Sequence, residues 1–398
     1  MKIAIVSDFH LGYERFRKDA YDQARMALEE AAKMADALLV PGDIFDNRAP
    51  KPDVIAEGLS IFRELAGMPW RAKVAEVTGA TRSYANVPIV IIPGTHERRA
   101  AGEENPVSLI NLAGFAIDAS ESTVVLELEG ERVAVRGIGG ISEERLREYL
   151  KSNDIKPVPG AFNILMLHQS IYELMPFNSE FIHFDELPEG FDLYIDGHIH
   201  NKVEAKAHGK PFLIPGSTVL TQLKETEQES KGFYVYDTRS RTAQFTKIAS
   251  RPFFVAKVSV EGKEPSDIEK EADEKIEERL KASHGAVPIV LIQLVGALKS
   301  GLKFGDIDLV QVSKKYEGKA IVEISGSGIE EVSAIAGEFK QGMLEGASVK
   351  DLGTTIFLEK LKQAGYALDI PPTVLFDILS GDSKDKAVKS ALEKLLGS

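Results

Sequence analysis

Residues 2–10 read KIAIVSDFH, an apolar run that ends in an aspartate and a histidine. Continuous apolar character over a few residues predicts a short strand that is buried on both faces of a sheet. Asp8 and His10 then follow the carboxyl end of this strand. The run has neither the length nor the cleavage site of a secretory signal, so we interpret it as the first strand of the fold.

Four later stretches repeat this arrangement of an apolar run followed by Asp, Thr or His. They are ALLVPGD at 37–43, VPIVIIPGTH at 87–96, NILMLH at 163–168 and LYIDGHIH at 193–200. Helical patterns lie between them, at residues 19–35, 53–66 and 142–151. Buried strands that alternate with helices are typical of an α/β layered domain whose sheet faces are covered. We predict that this domain spans residues 1–245.

A different pattern begins near residue 250. Residues 250–345 predict the order β-α-β-β-α, with a highly charged helix at 265–282 and a last helix near 328–345. That order is typical of a small α+β domain. The remaining segment, residues 346–398, contains Pro371-Pro372, a break at Gly381 and a final amphipathic pattern. These features predict a C-terminal helical segment.

Composition limits the classes of protein and of site. At 398 residues the chain is long enough for two or three domains. No apolar stretch reaches the ~18 residues of a membrane span, so we expect no membrane association and a cytoplasmic location. The chain has no cysteine, which excludes thiolate metal sites and disulfides. The net charge of −13 by itself argues against a nucleic-acid partner, because phosphates normally meet a basic surface.

The polar residues at the five strand ends form the candidate site. Ligands of α/β sheets bind outside the carboxyl ends of the strands, so we expect these side chains to share one crevice. Each residue alone has an ordinary explanation, such as a hydrogen-bonded core histidine or a turn aspartate, but five strand ends together favour a shared site. Carboxylate and imidazole ligands without thiolate suit two divalent ions such as Mn, Fe or Zn. A carboxylate bridging two such ions is typical of phosphate-ester hydrolysis.

The motifs DFH, GDIFD, GTHE, HQS and GHIH resemble, in order and spacing, those of the calcineurin-like metallophosphoesterases. SDFHLGY and VPGDIFDNRAP further resemble the SbcD branch, the bacterial and archaeal homologues of the meiotic recombination eleven nuclease. The resemblance covers residues 1–220. It implies a four-layer α/β/β/α metallophosphoesterase sandwich, with the small α+β domain as a cap over the site.

The resemblance also implies a role for each strand-end residue. Six would be metal ligands: Asp8, His10 and His200 at the first ion, His168 and His198 at the second, and Asp43 as the bridge between them. His96 would not be a ligand. It would contact the scissile phosphate and stabilise or protonate the leaving oxygen.

One position departs from the family pattern. The family has asparagine before this histidine, where its amide oxygen binds the second metal ion, but this chain has Thr95. A hydroxyl is a poorer ligand than an amide carbonyl and has a shorter reach. We therefore expect the second ion to bind more weakly, directly or through a water molecule, with activity retained. The alternative is that Thr95 only fits the turn and the site is catalytically weak.

Charged residues surround the motifs. The candidate substrate-binding residues are Arg15, Arg48, Arg98 and Arg99, which predict a phosphate-binding rim within an acidic protein. The alternative is ordinary surface charge, since the acids Glu14, Asp46 and Glu97 are interleaved with them. The resemblance implies substrate-side loops in the segment GSTVLTQLKETEQESKGFYVYD, residues 216–237, but its charge run is interpreted as a solvated face.

The resemblance implies a function and partners. These are manganese-dependent exonuclease and endonuclease action at DNA ends in double-strand-break repair, homodimerisation, and docking of residues 346–398 on an SMC-like coiled-coil ATPase of the SbcC/Rad type. One alternative is a small-molecule phosphodiesterase or phosphatase with the same metal site, although such an enzyme needs neither a cap nor a helical tail. Another is an assembly protein with a weakened nuclease site, for which Thr95 is the only support.

Overall fold

The computed structural model describes residues 1–79, 86–98, 104–176, 178, 180–299 and 301–330. Its strands, in chain order, are β1 (Lys2–Ile5), β2 (Ala37–Pro41), β3 (Lys73–Gly79), β4 (Ile89–Ile92), β5 (Ile117–Asp118), β6 (Ser122–Leu128), β7 (Glu131–Ile138), β8 (Phe162–Leu167), β9 (Leu193–Asp196), β10 (Val203–Ala207), β11 (Lys210–Ile214), β12 (Gly232–Asp237), β13 (Thr242–Lys247), β14 (Phe253–Ser259), β15 (Ile289–Ala297) and β16 (Ile321–Glu330).

The helices are α1 (Arg17–Met34), α2 (Pro52–Ala66), α3 (Pro106–Leu112), α4 (Glu143–Ser152), α5 (Pro265–Ala282) and α6 (Leu309–Lys314). None of these helices, within the described part of the chain, combines the length with the apolar composition that crossing a bilayer requires. The predicted helix near 328–345 does not begin where expected, because β16 continues to Glu330. The rest of that helix and the segment 346–398 lie outside the described residues.

Two large sheets carry the strand ends that the sequence singles out. The first has the order β13-β12-β1-β2-β4-β5, in which β1, β2 and β4 are parallel neighbours. The second has the order β10-β11-β9-β8-β7-β6-β3, in which β8 and β9 are parallel neighbours. Because parallel neighbours end on the same side of a sheet, each sheet gathers its own motif residues at one edge.

Alternating side chains of the strands build the layers. In β1, Ala4 packs with residues of α1 and α2, whereas Ile3 and Ile5 pack with residues of the second sheet, because successive side chains point to opposite faces. The outer face of the second sheet is covered by a third cluster that includes Leu146 of α4. Helices, sheet, sheet and helix therefore form four layers, and the predicted α/β/β/α sandwich is confirmed.

The chain divides into two compact units. One comprises Met1–Phe254 with Ala286–Pro288, and the other comprises Val255–Gly285 and the described residues from Ile289 to Glu330. Among the described residues the second unit has the order β14-α5-β15-α6-β16, in which β15 and β16 are parallel. The predicted order lacked α6, a six-residue helix. Parallel strands need a crossover connection, so a helix at this place follows from the pairing that the sequence did not reveal.

Candidate metal centre

The five strand ends meet in the first unit. The structure groups the predicted ligands into two adjoining clusters, whose ligand atoms lie within 4.8 Å of one another in each: Asp8, His10, Asp43 and His200 in the first, and Asp43, His168 and His198 in the second. Asp43 belongs to both. Four of these side chains are almost fully buried: Asp8, His10, Asp43 and His168.

The backbone at the site adopts conformations that are rare for these residue types. Asp8, His10, Asp43 and His198 have positive φ angles of 54°, 48°, 49° and 69°. Such left-handed conformations cost free energy in residues other than glycine and cluster at functional sites. The turns after β1, β2 and β9 therefore adopt strained conformations that direct their polar side chains toward one site.

Glycines allow the loops to approach each other closely. A Cβ atom at Gly94 would lie 2.1 Å from Asp43 Oδ1, and one at Gly197 would lie 2.2 Å from the carbonyl oxygen of Pro41. Real atoms do not approach this closely, so any side chain at either position would displace a cluster residue or its loop. The geometry of the site therefore requires glycine at both positions.

In the first cluster, imidazole nitrogens and carboxylate oxygens face one another with too few hydrogens to form hydrogen bonds between all of them. Nε2 of His10 and Nε2 of His200 face each other at 3.2 Å. Asp8 Oδ1 accepts the backbone N–H of His198 at 3.1 Å and lies 4.0 Å from Nε2 of His200, while its buried Oδ2 has no hydrogen-bond partner. A buried carboxylate oxygen without a donor is costly, and a cation removes that cost. The residues present therefore fit a metal ion.

The second cluster centres on the contact between His168 and Asp43. Nδ1 of His168 lies 2.7 Å from the carbonyl oxygen of Pro41, so this nitrogen carries the proton and Nε2 faces Asp43 Oδ2 at 3.2 Å. A histidine held at one ring nitrogen by a carbonyl is the usual arrangement of a metal ligand. Although burial lowers the pKa of His168, the Asp43 carboxylate raises it to about 10, and burial lowers the pKa of His198 to about 3.

Thr95 lies beside this second cluster. Its Oγ1 is 3.5 Å from Asp43 Oδ2 and 3.5 Å from Nδ1 of His198. The hydroxyl thus occupies the vicinity of two predicted ligands of the second ion, as the family pattern implies for this position. Whether it binds the ion stays a prediction.

His96 lies at the mouth of the site, with its side chain 43% exposed. Its backbone N–H donates to Asp43 Oδ1 at 2.9 Å, which ties this loop to the shared carboxylate. Its ring Nδ1 lies 2.9 Å from the carbonyl oxygen of Asp46, and the ring packs edge-on against His10. Because Nδ1 is engaged, Nε2 is the nitrogen that can act on a substrate.

Asp46 has a place in the site that the sequence did not reveal. Its Oδ1 lies 3.1 Å from Nδ1 of His10 and 3.6 Å from Nδ1 of His96. The alternative that counts Asp46 as ordinary surface charge does not fit these contacts. Its position three residues after Asp43, in the same strand-end loop, is the signal that could have identified it.

Glu97 does not fit the alternative of ordinary surface charge either, because it is fully buried. Its two carboxylate oxygens accept the backbone N–H groups of Phe45 and Gly94, each at 2.6 Å. Burial, together with the nearby negative charge of Asp43, raises the pKa of Glu97 to about 8. This side chain ties the loop that follows β2 to the loop that follows β4.

Glu97→Ala is expected to lower the free energy of unfolding by about 3 kcal/mol, because two buried N–H groups lose their acceptor. Chemical denaturation of the metal-free protein measures this change. Glu148→Ala removes a glutamate from the exposed side of α4 and serves as the control. Equal stability of Glu97→Ala and the control would contradict the structural role of Glu97.

The candidate substrate-binding arginines differ in their surroundings. Arg15 and Arg48 are exposed, and Arg15 lines a cavity of 490 Å³ that Asp46 also lines. Arg98 donates to the carbonyl oxygens of Gly140 and Ile141, so its guanidinium holds a neighbouring loop. Arg99 lies outside the described residues. A substrate role for any of them stays a prediction.

The charge run within 216–237 is mostly exposed, as the sequence suggested, but two of its charged residues are not part of a solvated face. Glu227 and Lys231 are buried, and Lys231 Nζ lies 2.9 Å from Glu227 Oε2. Burial alone would raise the pKa of Glu227, but the neighbouring His200 and Lys231 lower it to about 2. These charges face the site, and the apolar strand that begins directly after Lys231 was the only sign of it.

Known proteins resemble this chain in sequence. The chain is 27% identical to the DNA double-strand break repair protein Mre11 of Methanocaldococcus jannaschii over 250 residues, which cover 60% of this chain and 62% of the relative. It is 28% identical to the double-strand break repair protein MRE11 of Encephalitozoon cuniculi over 303 residues, with 69% and 52% covered. The corresponding protein of Arabidopsis thaliana is 25% identical over 385 residues, with 80% and 52% covered.

The chain therefore spans between about half and two thirds of the length of these curated relatives. The sequence model of the calcineurin-like phosphoesterase family matches residues 1–202, the part that contains all the strand-end motifs. With this match and the two clusters that share Asp43, the chain belongs to the calcineurin-like phosphoesterase family.

Proposed function

We propose that this protein is a DNA nuclease that hydrolyses phosphodiester bonds with two divalent metal ions, manganese being the expected metal. The observation that carries the proposal is the pair of adjoining clusters that share Asp43. An assembly of four histidines and two aspartates without sulfur suits such ions. Relatives named as double-strand break repair proteins support DNA as the substrate and outweigh the net charge of −13.

Each group of the site has a task in this proposal. Asp8, His10 and His200 would hold the first ion, His168 and His198 would hold the second, and Asp43 would contribute to both. When bound, the two ions polarise the phosphate and lower the pKa of the attacking water. His96 presents Nε2 to the leaving oxygen and stabilises or protonates it, while the Asp46 carbonyl fixes Nδ1 of that ring. Thr95 would complete the second site as a weak or water-mediated ligand.

Cleavage of a labelled DNA duplex, compared with a small chromogenic phosphodiester, tests the proposal. We expect manganese-dependent DNA cleavage by the wild type and none by His168→Ala, with His284→Ala, which changes an exposed histidine, as the control. Turnover of the small ester without DNA cleavage would favour the phosphodiesterase alternative. Inactivity of the wild type on both substrates, restored by Thr95→Asn, would favour an assembly subunit with a weakened site.

Thr95→Asn is expected to strengthen manganese binding at the second site by about tenfold. An amide oxygen is a better ligand than a hydroxyl, and the asparagine side chain reaches further than that of threonine. Calorimetric titration of the metal-free protein measures the affinity. Thr95→Val keeps the size of threonine and removes the hydroxyl, so it shows what the hydroxyl itself contributes. Weaker binding by Thr95→Asn than by the wild type would contradict a ligand position at residue 95.

The proposal extends to partners and location. We propose a cytoplasmic homodimer in which residues 250–345 cap the site and residues 346–398 dock on an SMC-like coiled-coil ATPase. The support is the family resemblance and the names of the relatives, together with the apolar spacing in VLFDILSG and AVKSALEKLLG, which suits helix-in-groove docking. Co-purification of the partner with the full chain but not with residues 1–345 tests the docking segment.

A further inference from the structure

A chain of hydrogen bonds leads from the interior of the first unit to the ring of His200. Thr221 Oγ1 bonds Nδ1 of His200, and Glu227 Oε1 lies 3.3 Å from the same hydroxyl. Lys231 Nζ lies 2.9 Å from Glu227 Oε2, and the two charged side chains are only 8% and 4% exposed. Thr221, Glu227 and Lys231 are called the relay below.

The chemistry of these groups fixes the direction of each hydrogen bond. An ionised carboxylate only accepts, so the single hydroxyl hydrogen of Thr221 goes to Glu227. The lone pair of that hydroxyl is then left for a hydrogen on Nδ1 of His200. In the neutral ring Nε2 of His200 then carries no hydrogen, and Nε2 is the atom that faces Nε2 of His10 in the first cluster.

Lys231 makes this direction stable. Its ammonium group donates to Glu227, to Ser217 Oγ at 2.9 Å and to the carbonyl oxygen of His200 at 3.2 Å, which uses all three of its hydrogens. The cation compensates the buried carboxylate, which would otherwise be costly. It also fixes the backbone of His200, so the relay holds the backbone and the ring of the same residue.

We propose that Thr221, Glu227 and Lys231 are positioning residues that select the Nδ1–H form of His200 and aim its Nε2 at the first metal ion. This inference rests on the proposed function, because it assigns a purpose to one ligand of that metal site. Outer groups that orient a ligating histidine are typically worth 10- to 100-fold in metal affinity. A relay that only packed its own loop would leave that affinity and the ring unchanged.

Matched substitutions separate positioning from packing. Glu227→Gln keeps the size of the side chain but introduces a donor, which removes the fixed direction of the Thr221 hydrogen. Thr221→Val removes the hydroxyl, and Thr221→Ser retains it. Glu229→Gln removes the same charge from an exposed position of the same segment and serves as the control.

Two measurements on the full chain test the relay. Nitrogen-15 NMR of the histidine rings in the metal-free protein reports which ring nitrogen of His200 carries the hydrogen, with His200→Ala to assign the signals. Calorimetric titration with manganese reports the affinity. We expect Glu227→Gln and Thr221→Val to shift the ring toward the Nε2–H form and to weaken first-site binding about 10- to 100-fold. Thr221→Ser and Glu229→Gln should match the wild type.

The relay would be refuted if Glu227→Gln and Thr221→Val kept the wild-type manganese affinity and the wild-type ring form while His200→Ala bound manganese more weakly. That result would still support the metal site. Unchanged manganese binding in His200→Ala would overturn the metal site and the relay with it. If Glu227→Gln does not fold, Thr221→Val and Thr221→Ser decide the matter alone.

Discussion

Asp43→Asn is expected to reduce manganese-dependent DNA cleavage by roughly 10³-fold or more, since a contribution of several kcal/mol is lost from the transition state. Asp43 is the one carboxylate that both clusters share, and its Oδ2 lies 3.2 Å from Nε2 of His168. An amide is neutral and offers a single acceptor oxygen, so it cannot bind two cations as a carboxylate does. Cleavage rates at saturating metal, together with the number of manganese ions bound per chain, measure the effect.

Asp154→Asn is the matched control for this prediction. Asp154 forms an exposed ion pair with Lys156, in which 74% of each side chain is accessible, so its substitution makes the same chemical change away from the site. Surface pairs of this kind contribute little, so the control should cleave DNA and bind metal as the wild type does. An Asp43→Asn protein that still bound two ions and cleaved at the control rate would refute the bridging role.

His96→Ala is expected to lower the cleavage rate at saturating DNA by about 10²- to 10⁴-fold while both metal ions remain bound. The side chain is exposed at the mouth of the site, and the groups of both clusters are contributed by other residues. The backbone N–H that donates to Asp43 Oδ1 is retained in the variant, so the shared carboxylate keeps its support. Single-turnover cleavage and a metal titration of the same sample separate the two effects.

His284→Ala, which changes an exposed histidine of the second unit, controls for the loss of an imidazole. A loss of metal binding in His96→Ala would assign this residue to the ligands and not to the leaving oxygen. A wild-type cleavage rate would mean that the leaving oxygen needs no group from the protein.

Much of the central sandwich follows from the sequence, because fully buried strands are continuous apolar runs. IVII of β4 and ALLVP of β2 are buried at every residue, and both were predicted. The strand β3, KVAEVTG, was missed because most of its residues are exposed and its sequence has no apolar run. The same holds for β13, TAQFTK, which pairs only at the edge of its sheet. Edge strands lack the burial that makes a strand visible in the sequence.

The candidate ligands were predictable for a related reason. Asp8, Asp43 and His168 each lie within three residues of the end of a buried strand, so the position of the strand gives the position of the side chain. Glu97 and Glu227 were not predictable, because a charged residue in a charged segment indicates surface unless its partners are known. One partner of Glu97 is remote in sequence, because the N–H of Phe45 that donates to it is 52 residues away. Contacts of this kind become visible only when the loops are brought together.

Anomalous scattering from crystals of the protein soaked in manganese tests the two-metal centre most directly. We predict two peaks on either side of Asp43, one among Asp8, His10 and His200 and the other beside His168 and His198. The second peak should be the weaker of the two in the wild type and should gain occupancy in Thr95→Asn. A single peak, or peaks remote from Asp43 at saturating manganese, would contradict the shared carboxylate on which the proposed nuclease chemistry depends.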